Sequence, residues 1–196
     1  ANNSSAKIES KPLANKNFAS QSIVIYELYG GGGNSGASQF SHDFLVLSNR
    51  RDSPVSLDGW STQYASSSGS NWLVTPLSNV TLQPGQYYLI QYATNGNGGA
   101  SLPTPDLIAP PVMVGSNTFI PNMSSSNGKL ALVNSTVQLP ASTCPNDPSI
   151  VDLVGYGSAS CFEGQATGSL SSSTAVIRNA EGCEDTDNNS DDFMIG

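Results

Sequence analysis

Charged residues are scarce in this chain, and basic residues are scarcer than acidic ones. Only 11% of its 196 residues are charged, and seven Lys and Arg stand against fifteen Asp and Glu, which gives a net charge of −8. Nucleic acids and anionic membranes both recruit Lys and Arg. The sequence also lacks an apolar run of about 18 residues, the length that a membrane-spanning helix needs. We therefore expect no nucleic-acid partner and no membrane insertion.

Histidine occurs once, at His42, beside Asp43. Hydrolytic triads need a base, most often histidine, and the chain contains no Gly-x-Ser-x-Gly motif. A lone histidine in a serine-rich loop is more often a solvated turn residue. The glycines at 30–33 lack the Lys and the helix of a phosphate loop, so they predict a mobile hairpin loop. We predict no catalytic residues, and hence a protein that is not an enzyme.

The chain has only three cysteines, Cys144, Cys161 and Cys183, and none of them forms a Cys-x-x-Cys pair. A zinc or thioredoxin-type motif is therefore not expected. In a secreted chain we expect one disulfide, and we predict Cys161–Cys183 because both residues lie in turn-rich segments that flank a predicted strand around residues 175–178. Cys144 would then be free or paired with another chain.

Uncharged polar residues are abundant instead, since 32 Ser, 11 Thr and 18 Asn make up 61 of the 196 residues. The chain starts at Ala1 without Met, as after removal of a secretory signal. Together these features predict a secreted, extracellular glycoprotein. Acceptor triplets for N-glycosylation occur at Asn2, Asn3, Asn79, Asn122, Asn134 and Asn188, of which we favour the last four.

Apolar residues come in short β-branched or aromatic runs that are bounded by Gly and Pro, and helical periodicity is nearly absent. About eight such runs predict an all-β fold of two packed sheets. The run at 23–29 is apolar on both faces, which is typical of a central strand. Residues 93–121 contain five of the twelve prolines and predict a long irregular segment.

Several of these runs, taken in order, resemble the lamin tail domain family in its secreted microbial form. The matching blocks are 25–34 (IYELYGGGGN), 43–49 (DFLVLSN), 55–64 (VSLDGWSTQY), 82–89 (LQPGQYYL), 151–157 (VDLVGYG), 163–164 (EG) and 185–193 (DTDNNSDDF). The resemblance implies an immunoglobulin-like β-sandwich without catalytic residues, built from residues 23–196. Val46 stands where the family usually has an acid, so no role of that acid carries over.

Residues 1–22 differ from the rest and form an N-terminal extension, which we call the arm. The arm has three Lys and one Glu, a charge of +2, whereas the remainder has four basic and fourteen acidic residues, a charge of −10. One interpretation is a frayed terminus. The other is a strand that pairs with the sheet edge of a neighbouring subunit, with Ile8, Leu13 and Phe18 filling pockets.

The acidic C-terminal segment contains candidate calcium ligands. Oxygen-bearing side chains alternate there, as in the start of a calcium loop, although Ser190 replaces the glycine of such loops. The alternative is an Asx-rich turn that bonds to its own backbone. Otherwise no cofactor is expected. The four candidate ligands are Asp185, Asp187, Asn189 and Asp191.

Two further groups of residues suggest structure or binding. Asp152 lies within an apolar run and needs a cation if it is buried, and Arg178, also in a predicted strand, is the natural partner. Aromatic side chains in sandwich strands are more often core than a platform for sugar stacking, but both interpretations stay open for one set. That set is Trp60, Trp72, Tyr87, Tyr88 and Tyr92.

The function we predict is that of a structural protomer. Its arm would pair head-to-tail with the next subunit and build an extracellular filament or coat, so that its partner is itself. The alternative is a surface-binding module that recognises glycan or wall polymer, with or without calcium.

Overall fold

A computed structural model describes residues 11–12, 22–34 and 36–196, and these residues form sixteen strands, one helical turn α1 (Asn189–Asp192) and a 3-10 turn (Ala180–Gly182). The predicted all-β fold is confirmed, but the number of strands is larger than eight. Five of the sixteen strands have only two residues, too few for a pattern to be visible in the sequence. The strands are β1 (Lys11–Pro12), β2 (Ile23–Tyr29), β3 (Phe44–Asn49), β4 (Val55–Ser56), β5 (Ser61–Ser66), β6 (Leu73–Pro76), β7 (Thr81–Leu82), β8 (Tyr87–Gln91), β9 (Leu107–Ile108), β10 (Val112–Val114), β11 (Asn117–Phe119), β12 (Gly128–Val133), β13 (Ile150–Tyr156), β14 (Cys161–Phe162), β15 (Val176–Arg178) and β16 (Phe193–Ile195).

Six strands form the larger sheet in the order β16-β15-β2-β3-β8-β9. All neighbours are antiparallel except β8 and β9, which run parallel. The β-branched run of β2 lies at the centre, as its two apolar faces predict. Ile25 and Leu28 face the main core, and Tyr29 packs with Phe44 and Ala175 in a separate cluster.

Four antiparallel strands form the smaller sheet in the order β13-β12-β5-β6. Leu130 and Leu132 of β12 contribute to the main core together with Leu45 and Leu47 of the larger sheet. Alternation along β12 places Ala131 and Val133 in a second cluster, which also contains Trp72 and Cys161. The smaller sheet is thus covered by apolar side chains on both faces.

Two further strand pairs and one hairpin lie outside the two main sheets. β4 pairs with β7, and β10 pairs with β11 inside the segment predicted to be irregular. The remaining pair joins β1 to β14 in parallel, with Lys11 opposite Cys161 and Pro12 opposite Phe162. Part of the arm therefore pairs with the sandwich, whereas Ile8, Leu13 and Phe18 lie outside the described residues.

The glycines at 30–33 do not form the predicted mobile loop, because their backbone is buried against other chain segments. A Cβ atom on Gly32 would lie 2.1 Å from the backbone nitrogen of Asp43, and one on Gly31 would lie 2.7 Å from the Cα of Ser172. Glycine is needed here for close packing rather than for flexibility.

The disulfide joins Cys144 to Cys161, so the predicted Cys161–Cys183 pairing is wrong. Cys161 belongs to β14, which packs against β13 of the smaller sheet, and its side chain lies in the second core cluster beside Cys144. Cys183 follows β15 of the larger sheet, where it is an exposed free thiol. The two predicted partners are therefore held by different sheets.

Candidate functional site: a buried ionic network beside the strand that meets the arm

An ion pair joins the two sheets in the interior of the sandwich. Asp152 lies in β13, and Arg178 is the last residue of β15. The guanidinium Nη2 donates to both carboxylate oxygens of Asp152, at 2.9 Å and 2.7 Å. Both residues are at most 1% exposed. The pair that the sequence predicts is present, and it links the smaller sheet to the larger one.

The same pair satisfies a backbone irregularity in β2. The register between β2 and β3 shifts between Ile25 and Glu27, and β15 pairs with β2 only at Glu27 and Leu28. The Ile25 N–H donates to Asp152 Oδ2 at 2.6 Å, and Arg178 Nε donates to the Ile25 carbonyl at 2.8 Å. Side chains thus replace the missing ladder bonds, since an unpaired buried backbone group is costly.

Three more acids surround the guanidinium. Nη1 of Arg178 lies 3.4 Å from Asp185 Oδ1 and 3.8 Å from Asp192 Oδ2, and Arg50 Nη2 lies 2.9 Å from Asp185 Oδ2. Asp185 and Asp192 join Asp152 and Glu163 here, so the guanidinium groups of Arg178 and Arg50 lie among four carboxyl groups. Burial lowers the pKa of Arg178, but the carboxylates, Asp152 foremost, outweigh it and raise that pKa.

Glu163 and Asn189 close the free edge of β13. The Leu153 N–H donates to Glu163 Oε1 at 3.1 Å, and the Gly155 N–H donates to Asn189 Oδ1 at 2.9 Å. Asn189 Nδ2 donates in turn to the Leu153 carbonyl at 2.8 Å. Burial, and then the charge of Asp152, raise the pKa of the Glu163 carboxyl well above its usual range.

The four predicted calcium ligands are not gathered at one point. Among the described residues, one group of three acidic side chains has ligand oxygens within 4.8 Å of one another, namely Glu163, Asp185 and Asp192, and only Asp185 belongs to the predicted set. Asn189 Oδ1 accepts from the backbone of β13, and Asp191 Oδ2 accepts from Asn188 Nδ2 at 2.6 Å. The guanidinium of Arg178 lies beside this acidic cluster.

β14 is held on three sides. Ser160, which precedes it, accepts a hydrogen bond from Lys129 Nζ at 2.7 Å, and Lys129 also donates to the Thr143 carbonyl at 2.6 Å. Cys161 is tied by the disulfide, and Glu163, which follows the strand, is anchored in the network. The strand that meets the arm is therefore fixed by contacts on both sides and by the disulfide.

The sequence reasoning did not identify Lys129 as a buried residue. Its ammonium lies 5.4 Å from the centre of the Trp72 ring, and burial lowers its pKa to about 8. The available signal was its position two residues before Ala131 and four before Val133 on the same face of an apolar strand.

Residues considered for catalysis are engaged otherwise. His42 Nδ1 lies 3.0 Å from the hydroxyl of its neighbour Ser41. The Asp43 carboxylate accepts backbone N–H bonds from Gly32 and Met123, each at 2.8 Å. Burial raises the pKa of Asp43 to about 7, although these two bonds oppose the shift. Asp43 thus anchors two loops and does not orient His42.

The predicted glycan-related residues lie in different environments. Asn79, Asn122 and Asn134 are exposed, whereas Asn188 caps α1 and its side chain accepts from the Ser190 N–H. Of the five aromatic residues considered for sugar stacking, Tyr87 is exposed and Trp60 is partly buried in the core. The other three, Trp72, Tyr88 and Tyr92, are buried.

Two mainly antiparallel sheets packed face to face around one main core define an immunoglobulin-like β-sandwich. Within this class, the chain belongs to the lamin tail domain family, whose sequence model matches residues 16–158. The resemblance inferred from the blocks at 25–34 and 43–49 is thereby confirmed. None of the helices in the described part of the chain has the length and apolar character of a membrane span.

Among solved structures, the chain is similar to the crystal structure of a DUF4876 family protein from Bacteroides thetaiotaomicron VPI-5482. The TM-score is 0.56 at 14% sequence identity, and the match covers 89% of this chain and 71% of that one. At this identity the similarity concerns the fold alone. No curated protein matches the chain.

Proposed function

We propose that this protein is a secreted, non-catalytic structural protein that assembles with copies of itself into an extracellular filament or surface coat. In this proposal the arm, residues 1–22, of one subunit pairs with the sandwich of the next. Such a head-to-tail contact is heterologous, and it extends into a filament unless it closes into a ring.

The observation that supports the proposal most is the pairing of the arm with the sandwich through its backbone. Within a single chain, Lys11–Pro12 forms a parallel pair with Cys161–Phe162, outside the two main sheets, and in this proposal the same pairing forms between subunits. A segment that adds a strand to an exposed edge is a general mode of protein association. The arm thus contains a segment able to pair, and the sandwich offers an edge that receives it.

Charge also favours contact between arm and sandwich. The arm carries +2, and the remainder of the chain carries −10. Sandwiches carrying −10 repel one another, and a positive arm offsets part of that repulsion at each contact. The disulfide and the exposed acceptors Asn79, Asn122 and Asn134 are consistent with an oxidising extracellular setting.

Negative-stain electron microscopy of the full chain and of a variant lacking residues 1–22 tests the proposal. We expect filaments or sheets from the full chain and monodisperse particles from the truncated one. Near-UV circular dichroism must show that the truncated chain is folded. A folded truncated chain that still polymerises contradicts the proposal, as does a full chain that stays monomeric at high concentration.

A second candidate function is the binding of glycan or wall polymer by single subunits, and an amide-lined cleft favours it. Asn34, Asn95 and Asn122, with Tyr64 and Ser124, line an open cleft of about 430 Å³. Amide groups of this kind hydrogen-bond to sugar hydroxyls. Binding of the truncated monomer to a glycan array, lost in an Asn34→Ala variant, would support this candidate.

A further inference from the structure

The edge of β14 is the place where the arm and the sandwich meet, and it identifies one surface for contact between copies. We propose that β14, Cys161–Phe162, is the docking site for Lys11–Pro12 of a second copy of this chain. This inference rests on the proposed function, and it adds the acceptor strand, its register and its orientation. The pair is parallel, with Lys11 opposite Cys161 and Pro12 opposite Phe162.

The length of the connection allows the pair to form between copies. Ten residues separate Pro12 from Ile23, where the first strand of the larger sheet begins. Ten residues span at most about 33 to 36 Å when fully extended. A connection of this length can reach beyond its own sandwich, and such reach is a condition for exchange of an identical element between protomers.

The short ladder makes exchange easy. Only two residue pairs connect β1 to β14, and Pro12 has no backbone N–H to donate. A pair with so few bonds opens readily within one chain. At high local concentration of a second copy, the same bonds can form between subunits.

The acceptor strand does not need to rearrange in order to receive the arm. Lys129 fixes Ser160, the disulfide fixes Cys161, and the Glu163 N–H donates to Asn189 Oδ1 at 3.2 Å. A rigid acceptor loses little conformational entropy when a partner binds. This arrangement distinguishes β14 from β9, the exposed edge strand of the larger sheet, where Ile108 is 60% exposed.

Photo-crosslinking in mixed assemblies tests the docking site. A full-length chain with Phe162 replaced by the photoreactive residue p-benzoylphenylalanine is mixed with isotope-labelled wild-type chain, assembled and irradiated. Mass spectrometry then identifies the joined peptides. We expect position 162 of the unlabelled chain to be linked to the labelled arm near Pro12, because only a contact between copies joins the two labels.

The matched control carries the same photoreactive residue at Ile108, on the exposed edge strand of the larger sheet. We expect no link from that position to the arm. Links confined to chains of the same label, in material that microscopy shows to be assembled, overturn the inference. Equal yields from positions 162 and 108 overturn it as well.

A second test avoids any change in the sandwich. Lys11→Pro removes the remaining backbone donor of β1, whereas Asn15→Pro makes the same substitution in the arm outside the pair. We expect Lys11→Pro to raise the critical concentration of assembly at least tenfold and Asn15→Pro to leave it within about twofold. Equal effects of the two prolines contradict β14 docking. If truncation of the arm abolishes assembly but Lys11→Pro does not, the proposed function stands and this inference fails.

Discussion

Arg178 and Asp152 connect β15 to β13, and both also bond to the backbone of Ile25 in β2. Removing one partner leaves the other as an uncompensated buried charge. We predict that Arg178→Met lowers the free energy of unfolding by about 3 to 5 kcal/mol. Urea denaturation followed by tryptophan fluorescence measures this loss.

The control for that experiment is Arg51→Met, since Arg51 is an exposed residue of the same chemical type. A surface substitution of this kind changes stability by about 0.5 kcal/mol or less. Equal losses in the two variants would show that the buried pair adds nothing beyond a surface charge.

Asp43 gives the protein a pH dependence whose sign follows from its burial. Its pKa is raised from 3.8 to about 7 in the folded state, so the folded state binds more protons than the unfolded state between these values. The contribution of Asp43 to stability is therefore greatest below pH 3.8 and is lost as the pH rises through about 7. Asp43→Asn removes this titration.

We expect the unfolding free energy of the wild type minus that of Asp43→Asn to become smaller as the pH is raised across that interval. Urea melts at several pH values measure it. The loss of one backbone hydrogen bond in the variant shifts all points equally and leaves the slope intact. A difference that does not change with pH would contradict the raised pKa.

At the scale of secondary structure, the sequence predicts the strands that have long apolar runs and misses strands of two or three residues. β2, β3 and β8 follow from β-branched and aromatic runs. β14 has two residues and β16 has three, too few for any periodicity to be visible. These two strands are fixed by a disulfide and by pairing with β15, which are tertiary contacts.

The ionic network was also predictable only in part, because most of its members are brought together by tertiary contacts. The Asp152–Arg178 pair follows from the shortage of cations in an apolar context. Glu163 and Asn189 act on the edge of β13, and no local pattern indicates which edge a polar side chain will close. The wrong disulfide arose because chain proximity to one strand does not reveal which sheet holds each cysteine.

We predict that the disulfide holds β14 in place and also stabilises the whole chain. It closes a segment with a sequence separation of 17 residues. Cys144→Ser should lower the free energy of unfolding by about 3 kcal/mol. We also expect faster amide hydrogen exchange at residues 160–163, measured by mass spectrometry under native conditions. The exposed thiol of Cys183 provides the control, because Cys183→Ser should change neither quantity.

At the scale of the whole molecule, residues 1–15 of the arm precede the part of the chain that the lamin tail domain model matches, residues 16–158. The arm is positively charged, and the sandwich is strongly negative. Each subunit thus has one donor, the arm, and one acceptor, the edge of β14. Donor and acceptor are different surfaces, so the proposed assembly has two unlike ends.

Because donor and acceptor differ, the proposed assembly can be capped at one end, which an assembly built from symmetric contacts could not. A chain without residues 1–22 keeps the acceptor but lacks the donor, so it can receive the arm of a growing assembly and cannot extend it further. Added at about one-tenth of the full chain, it should shorten filaments to roughly ten subunits by electron microscopy, because each truncated chain ends one filament. The Lys11→Pro chain should act in the same way, and Asn15→Pro should not. Filaments of unchanged length in the presence of folded truncated chain would show that subunits associate through another surface.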